Sequence, residues 1–203
     1  MKGGAGSTNV SLIKNKKQAL SLINKAFGKG FSSFNRYEHF KERVRRFKSR
    51  QESFIGVLKG FARIFITNTY SKKISRDRNY VYFQDFIPNN EFDIRVVVIK
   101  DKAIAERRKV RAGDFRASGS GIFDYSNIDD KIIEIAFSIA EKMKVQSVAF
   151  DFLYKENTPL IIEISYAFGI NGIIKSPGYW NRDLSFISGP FDPRIWMLIE
   201  FYF

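Results

Sequence analysis

Asp151 and Glu163 are acidic residues set inside apolar segments, SVAFDFLY and LIIEIS. A carboxylate inside a buried strand is costly unless something cationic offsets its desolvation. A turn at Asn157-Thr158-Pro159 joins the two segments into a hairpin that brings Asp151 beside Glu163. Glu163 and Ser165 are two positions apart and so share one face of a strand. Such a cluster of oxygen donors suits Mg²⁺, a hard cation with oxygen ligands. The same pattern suits a buried carboxylate paired with an arginine, and the residues alone leave both readings open.

The arginines Arg95, Arg107, Arg108, Arg111 and Arg116 lie on or near strands beside a Gly/Ser loop. Guanidinium groups converging on a sheet face hold phosphate oxygens and stabilise charge in a transition state. The alternative is surface pairing with Glu91, Asp93, Glu106 and Asp114, which contributes little. A third feature is KGGAGS near the start, where glycines let backbone N–H groups wrap an anion. No Gly-Lys-Ser/Thr follows, so it is not a Walker loop.

Composition removes other chemistries. The 203 residues contain no Cys, which excludes disulfides, thiolate catalysis and zinc–cysteine sites. One histidine, His39, lies in a basic stretch, which argues against a histidine triad or metal site. The formal net charge of +13 favours an anionic partner, or reflects a lysine-rich composition. The apolar stretch FIGVLKGFARIFI is interrupted by Lys59 and Arg63 and is too short to span a bilayer. The expectation is a cytoplasmic protein with no membrane span.

The elements that must position these residues follow from periodicity. NVSLIK reads as a short strand and KKQALSLINKAFG as a helix stopped at Gly28. Residues 36–65 read as one or two helices. Phe40, Val44, Phe47 and Phe54 can share a face there, and Arg36, Lys41, Arg43, Arg45, Arg46, Lys48 and Arg50 cover the rest. YVYFQDFI, FDIRVVVI and AIAERRKVR read as three strands of an antiparallel meander. NIDDKIIEIAFSIAEKM reads as a helix capped by Asn127 or Ser126. The tail from Ala167 onward is rich in Gly, Pro and aromatics, and its packing is left open.

The order of these pieces resembles the ATP-grasp superfamily: glycine loop, helices, QDFI, DIR, ERR, GDFRASGSG, then Asp151, Glu163 and Ser165. The pattern is similar to that of the ligases that add glutamate to a ribosomal protein, and to that of related ATP-grasp proteins of surface-polysaccharide clusters. The resemblance runs from Gly3 to about Gly172 and is most specific over Gln84–Ser118. It implies an α+β ATP-grasp fold whose two α+β subdomains, with antiparallel sheets, flank a nucleotide cleft. Residues 1–83 would form a partial N-terminal subdomain and 84–203 the C-terminal one.

What the resemblance implies for the site is specific. Gly4, Gly6 and Ser7 would belong to the loop over the ATP phosphates, and Gln84, Asp85, Phe86 and Ile87 to the adenine hinge. Asp93 would face the ribose. Arg107 or Arg108, and Arg116 with Ser118, would approach the phosphates and an acyl-phosphate intermediate. Asp151, Glu163 and Ser165 would hold Mg²⁺ or Mn²⁺. The implied activity is ATP-dependent carbon–nitrogen ligation of a carboxylate with an amine. Two departures stand against the pattern: Ser165 replaces the usual Asn, and the phosphate-binding lysine that precedes the loop would fall before Met1. The expectation is therefore a chain lacking its N-terminal domain, completed by a partner segment or acting as a homo-oligomer. The alternatives are a non-catalytic nucleotide-binding remnant and a basic nucleic-acid-binding protein; nucleic acid is not the expected partner.

Overall fold

Strong β-formers alternate along FDIRVVVI and KAIAERRK, so two strands fold back on each other about a polar Lys100-Asp101 turn. They are β1 (Phe92–Ile99) and β2 (Lys102–Lys109), paired antiparallel from Phe92 opposite Lys109 to Ile99 opposite Lys102. In the computed structural model, which describes residues 10–32, 40–41, 43–44, 47, 53–65, 76–110 and 121–199, this pair is the centre of a mixed α+β unit.

Among the described residues the sheet has seven strands. The others are β3 (Phe123–Asp124), β4 (Ser147–Lys155), β5 (Thr158–Ser165), β6 (Gly178–Asn181) and β7 (Phe186–Ser188). The order across it is β5-β4-β1-β2-β6-β7, with β3 also on β2, and every pairing is antiparallel. The described helices are α1 (Lys16–Phe27), α2 (Phe54–Phe65), α3 (Asp130–Met143) and α4 (Pro193–Ile199), with a 3₁₀ turn at Ile173–Lys175. Among the described residues no helix is long and apolar enough to cross a membrane.

Alternation gives each face of the sheet its own role. One face carries Ile94, Val96, Val98, Ala103, Ala105, Val148, Phe150 and Phe152, packed against Ile132, Ile133, Ala136, Phe137 and Ala140 of α3. These α3 positions recur at helical spacing, which is why this helix covers the sheet. Burial of each large side chain stabilises the unit by about 1.5–3 kcal/mol. The opposite face is apolar at one end, where Val97, Ile99, Ile104 and Ala149 meet Ile173, Tyr179, Phe191 and Trp196. At its other end it is charged. The aromatic tail therefore folds onto the sheet, with Phe191 stacked on Trp196 at 5.1 Å between ring centres.

The chain divides into two units, Met1–Asp85 and Phe86–Phe203. In the first, the apolar face expected around Phe40, Val44 and Phe47 meets α2. Phe40 lies 5.8 Å from Phe61 and Phe47 6.0 Å from Phe54, ring to ring. The helix at KKQALSLINKAF forms as expected, with Asn15 as its N-cap and Gly28 closing it.

Four local expectations are corrected. Residues 10–14 and 80–87 form no strand. The cap of α3 is Asp129, whose carboxylate accepts from the Lys131 N–H, rather than Asn127 or Ser126. Asp129 wins because a carboxylate there also complements the helix dipole. The β4–β5 turn is Glu156-Asn157, with Glu156 at φ 57°, so Thr158 and Pro159 already belong to β5. Pro159 is tolerated because β5 is an edge strand.

Candidate functional site

Register alone builds the site. Arg95 on β1 stands opposite Glu106 on β2 and opposite Asp151 on β4. Asp151 in turn stands opposite Glu163 on β5. Directly opposed residues in antiparallel pairs point to the same face. Glu106, Arg95, Asp151 and Glu163 thus form one row across four strands. Asp93 and Arg108, opposite each other and two positions along, make a second row on that face.

A bulge makes this row compatible with the core. Asp151 pairs with Glu163 but Phe152 pairs with Ile161, so Ile162 is the extra residue. Without it, Ile161 and Glu163 would share a face. The bulge lets Ile161 pack on the α3 side while Glu163, two residues on, joins Asp151 on the other side.

The charges are tightly organised. Arg95 donates to both oxygens of Asp151, Nε to Oδ1 at 2.7 Å and Nη2 to Oδ2 at 2.8 Å. Arg108 donates to both oxygens of Asp93 at 2.7 Å and, through Nη2, to Asp151 Oδ2 at 2.6 Å. Burial pushes the Asp151 carboxyl up, but the two guanidiniums outweigh it and hold it below the ordinary carboxylate range. For Asp93 burial wins over Arg108, and its carboxyl lies above the ordinary value. Burial also opposes the Arg108 charge, yet Asp93 and Asp151 push its pKa further up, so it stays cationic.

Glu106 is the exception in this network. It is 3% exposed, and its Oε2 has no hydrogen-bond partner. Desolvation pushes its carboxyl up to about 7, against the pull of Arg108 and Arg95. It lies against the backbone of Gly172, whose carbonyl accepts from the Tyr125 hydroxyl at 2.6 Å. A side chain at position 172 would collide with the Glu106 carboxylate, so this close approach requires glycine.

Asp151 and Glu163 carry oxygen donors of the kind a divalent cation takes, and both Asp151 oxygens accept from guanidiniums in this structure. Asp93, Glu106, Asp151 and Glu163 are four carboxylates against two guanidiniums, Arg95 and Arg108, an excess of two negative charges when all are ionised. Glu163 is exposed beside Asp151, and Ser165 donates its hydroxyl to the Ala167 carbonyl at 2.7 Å. Its oxygen keeps acceptor lone pairs. Among the described residues no three acidic or histidine side chains form an all-protein ion cage. Mg²⁺ does not need one, since it is commonly held by one or two carboxylates together with substrate phosphates.

The remaining sequence candidates fall in different places. Arg107 and Arg108, the alternatives for the phosphate contact, point to opposite faces because they are consecutive. Arg107 lies over the Phe92 ring at 3.6 Å and pairs with Asp124 at 3.2 Å, away from Asp151. Both oxygens of Asp93, the expected ribose contact, accept from Arg108. Gln84, Asp85 and Phe86 are exposed, Ile87 is half-buried, and the division between the two units falls between Asp85 and Phe86. Gly4, Gly6, Ser7, Arg116 and Ser118 lie outside the described residues. Sequence reasoning missed Arg95 as the bidentate partner of Asp151, and Glu106 as the buried orphan. The signal for Glu106 was an acid inside AIAERR, flanked by small apolar residues on one side and arginines on the other.

A model of the RimK-like ATP-grasp domain matches residues 61–181, more than half of the chain. A probable alpha-L-glutamate ligase of Citrobacter koseri is 32% identical over 89 residues, covering 42% of this chain and 30% of that protein. A ribosomal protein bS6–L-glutamate ligase of Escherichia coli O139:H28 is 30% identical over 103 residues, covering 49% of this chain and 34% of that protein. The chain thus spans 30% and 34% of the lengths of these two curated relatives. A solved structure of the ATP-grasp ligase PsnB complexed with minimal precursor overlaps 42% of this chain and 29% of that one, at 19% identity and TM-score 0.35.

Proposed function

Because the chain belongs to the RimK-like ATP-grasp domain family, we propose that its charged sheet face binds the phosphates of ATP in the ligation of a carboxylate to an amine. The observation that carries this reading is the row Glu106–Arg95–Asp151–Glu163, with the acidic pair Asp151 and Glu163 beside Arg95 on one sheet face and Arg108 in the neighbouring row.

Asp151, Glu163 and the Ser165 hydroxyl are the residues to hold Mg²⁺ or Mn²⁺, which when bound neutralises phosphate charge. Arg108 is fixed by Asp93 and so presents a charge that needs no reorganisation as negative charge develops nearby. Arg95 sits between two carboxylates and sets the charge of Asp151. Gln84–Ile87 would read the adenine, and Gly4, Gly6, Ser7, Arg116 and Ser118 would close on the phosphates. Two relatives are named glutamate ligases, which makes L-glutamate the first amino acid to test.

The test is titration calorimetry of the full chain with adenylyl imidodiphosphate, with Mg²⁺ and with EDTA. Nucleotide binding that needs the divalent cation is expected. Equal affinity in both conditions contradicts the reading.

A further inference from the structure

Glu106 stands in the row that carries the reading above but has no role of its own in it, and among the described residues of this face it is a buried group with an unsatisfied oxygen. An unpartnered buried carboxylate is costly and calls for an explanation. Its position supplies one. Strand β1 runs between β4 and β2, so Arg95 has one carboxylate on each side, Asp151 and Glu106, at directly opposed positions. Opposed side chains have Cβ atoms about 4.5–5.5 Å apart, within the reach of an arginine. The structure shows Arg95 committed to Asp151, with Glu106 left unpaired.

We propose that Glu106 is the alternate partner of Arg95, receiving its guanidinium when a divalent cation takes the Asp151 carboxylate. The proposal rests on the cation-binding reading of Asp151 and Glu163. Without such a site, a cation arriving at Asp151 would meet a guanidinium on the same oxygens, and the two positive charges would repel. With Glu106, the guanidinium has a second anion one strand away, while Arg108 keeps Asp151 anchored through Oδ2. Glu106 is thus a positioning residue, acting through Arg95.

The exchange moves a proton. Before it, Glu106 is partly a neutral acid, because it is desolvated beside Asp93 and Asp151. After it, Glu106 is a carboxylate bonded to Arg95, and its proton has gone to the buffer. The charged and titratable groups around Glu106 among the described residues are Arg95 and Asp93 on β1, Asp151 on β4, Arg108 on its own strand, and Tyr125. Tyr125, with a pKa pushed up to about 12 by burial and by Glu106, stays neutral across the range tested.

The experiment counts protons. Wild type and Glu106→Gln, which copies the neutral acid, are titrated with Mg²⁺ and adenylyl imidodiphosphate at pH 7 in buffers of different ionisation enthalpy. A carboxyl that titrates near 7 is about half protonated there. Wild type should release about half a proton more than Glu106→Gln, and the difference should vanish at pH 8.5. Arg95→Gln, which removes the moving cation, should abolish the excess release. Mg²⁺-dependent binding with equal proton counts in wild type and Glu106→Gln overturns the exchange alone. Absence of Mg²⁺-dependent binding in wild type overturns the site reading and the exchange together.

Discussion

Replacing Glu106 by Gln in the metal-free chain should raise its stability at pH 8 far more than at pH 5. The carboxyl ionises at 4.5 in an unfolded chain and near 7 in the fold, where burial opposes its charge. A raised folded value means the native state holds more protons between those two points. Stability from this group is therefore complete below pH 4.5 and is lost as pH rises through about 7. Each pH unit of the gap corresponds to about 1.4 kcal/mol, and the part falling between pH 5 and pH 8 amounts to about 2.5 kcal/mol. Glutamine does not titrate, so the difference between variant and wild type should widen by that amount over this range. Urea denaturation of both proteins at the two pH values reads it directly. A difference that is the same at both would refute the assignment of Glu106 as a desolvated, unpaired acid.

Asp151→Ala removes the shared anion of Arg95 and Arg108 and should destabilise the unit by about 3–5 kcal/mol in urea melts, because it breaks a buried ion-pair network and leaves Arg108 with Asp93 alone. Gly172→Ala places a methyl group against the Glu106 carboxylate and should destabilise by about 1–3 kcal/mol, read from the same melts. Arg107→Gln should leave Mg²⁺-dependent nucleotide binding unchanged in calorimetry, because Arg107 lies on the opposite face from Asp151, whereas Arg108→Gln should abolish it. Tyr125→Phe loses one hydrogen bond to Gly172 and should lower stability by about 1 kcal/mol.

The parts of this fold governed by local pattern were legible. FDIRVVVI and AIAERRK alternate with β-formers, and IIEIAFSIA repeats at helical spacing, so the β1–β2 meander and α3 could be read directly. The pairing of Asp151 with Glu163 followed from a short hairpin. What depended on distant partners was not legible. Strands β6 and β7 are four and three residues long and, among the described residues, join the sheet through β2, so no local period announces them. YVYFQDFI has strand composition, yet residues 80–87 form no strand, so propensity alone did not decide their conformation. The bulge at Ile162 is a property of register between two strands, and it decides which face Glu163 occupies. Arg95 bonding Asp151 required knowing that β1 and β4 are adjacent, which sequence order conceals.

Glu163 offers the most direct measurement, because it is exposed and its loss leaves the buried ion pairs in place. Glu163→Ala should fold like wild type by circular dichroism, yet lose the Mg²⁺-dependent part of its affinity for adenylyl imidodiphosphate in calorimetry. An unchanged, Mg²⁺-dependent affinity in that variant would contradict the account.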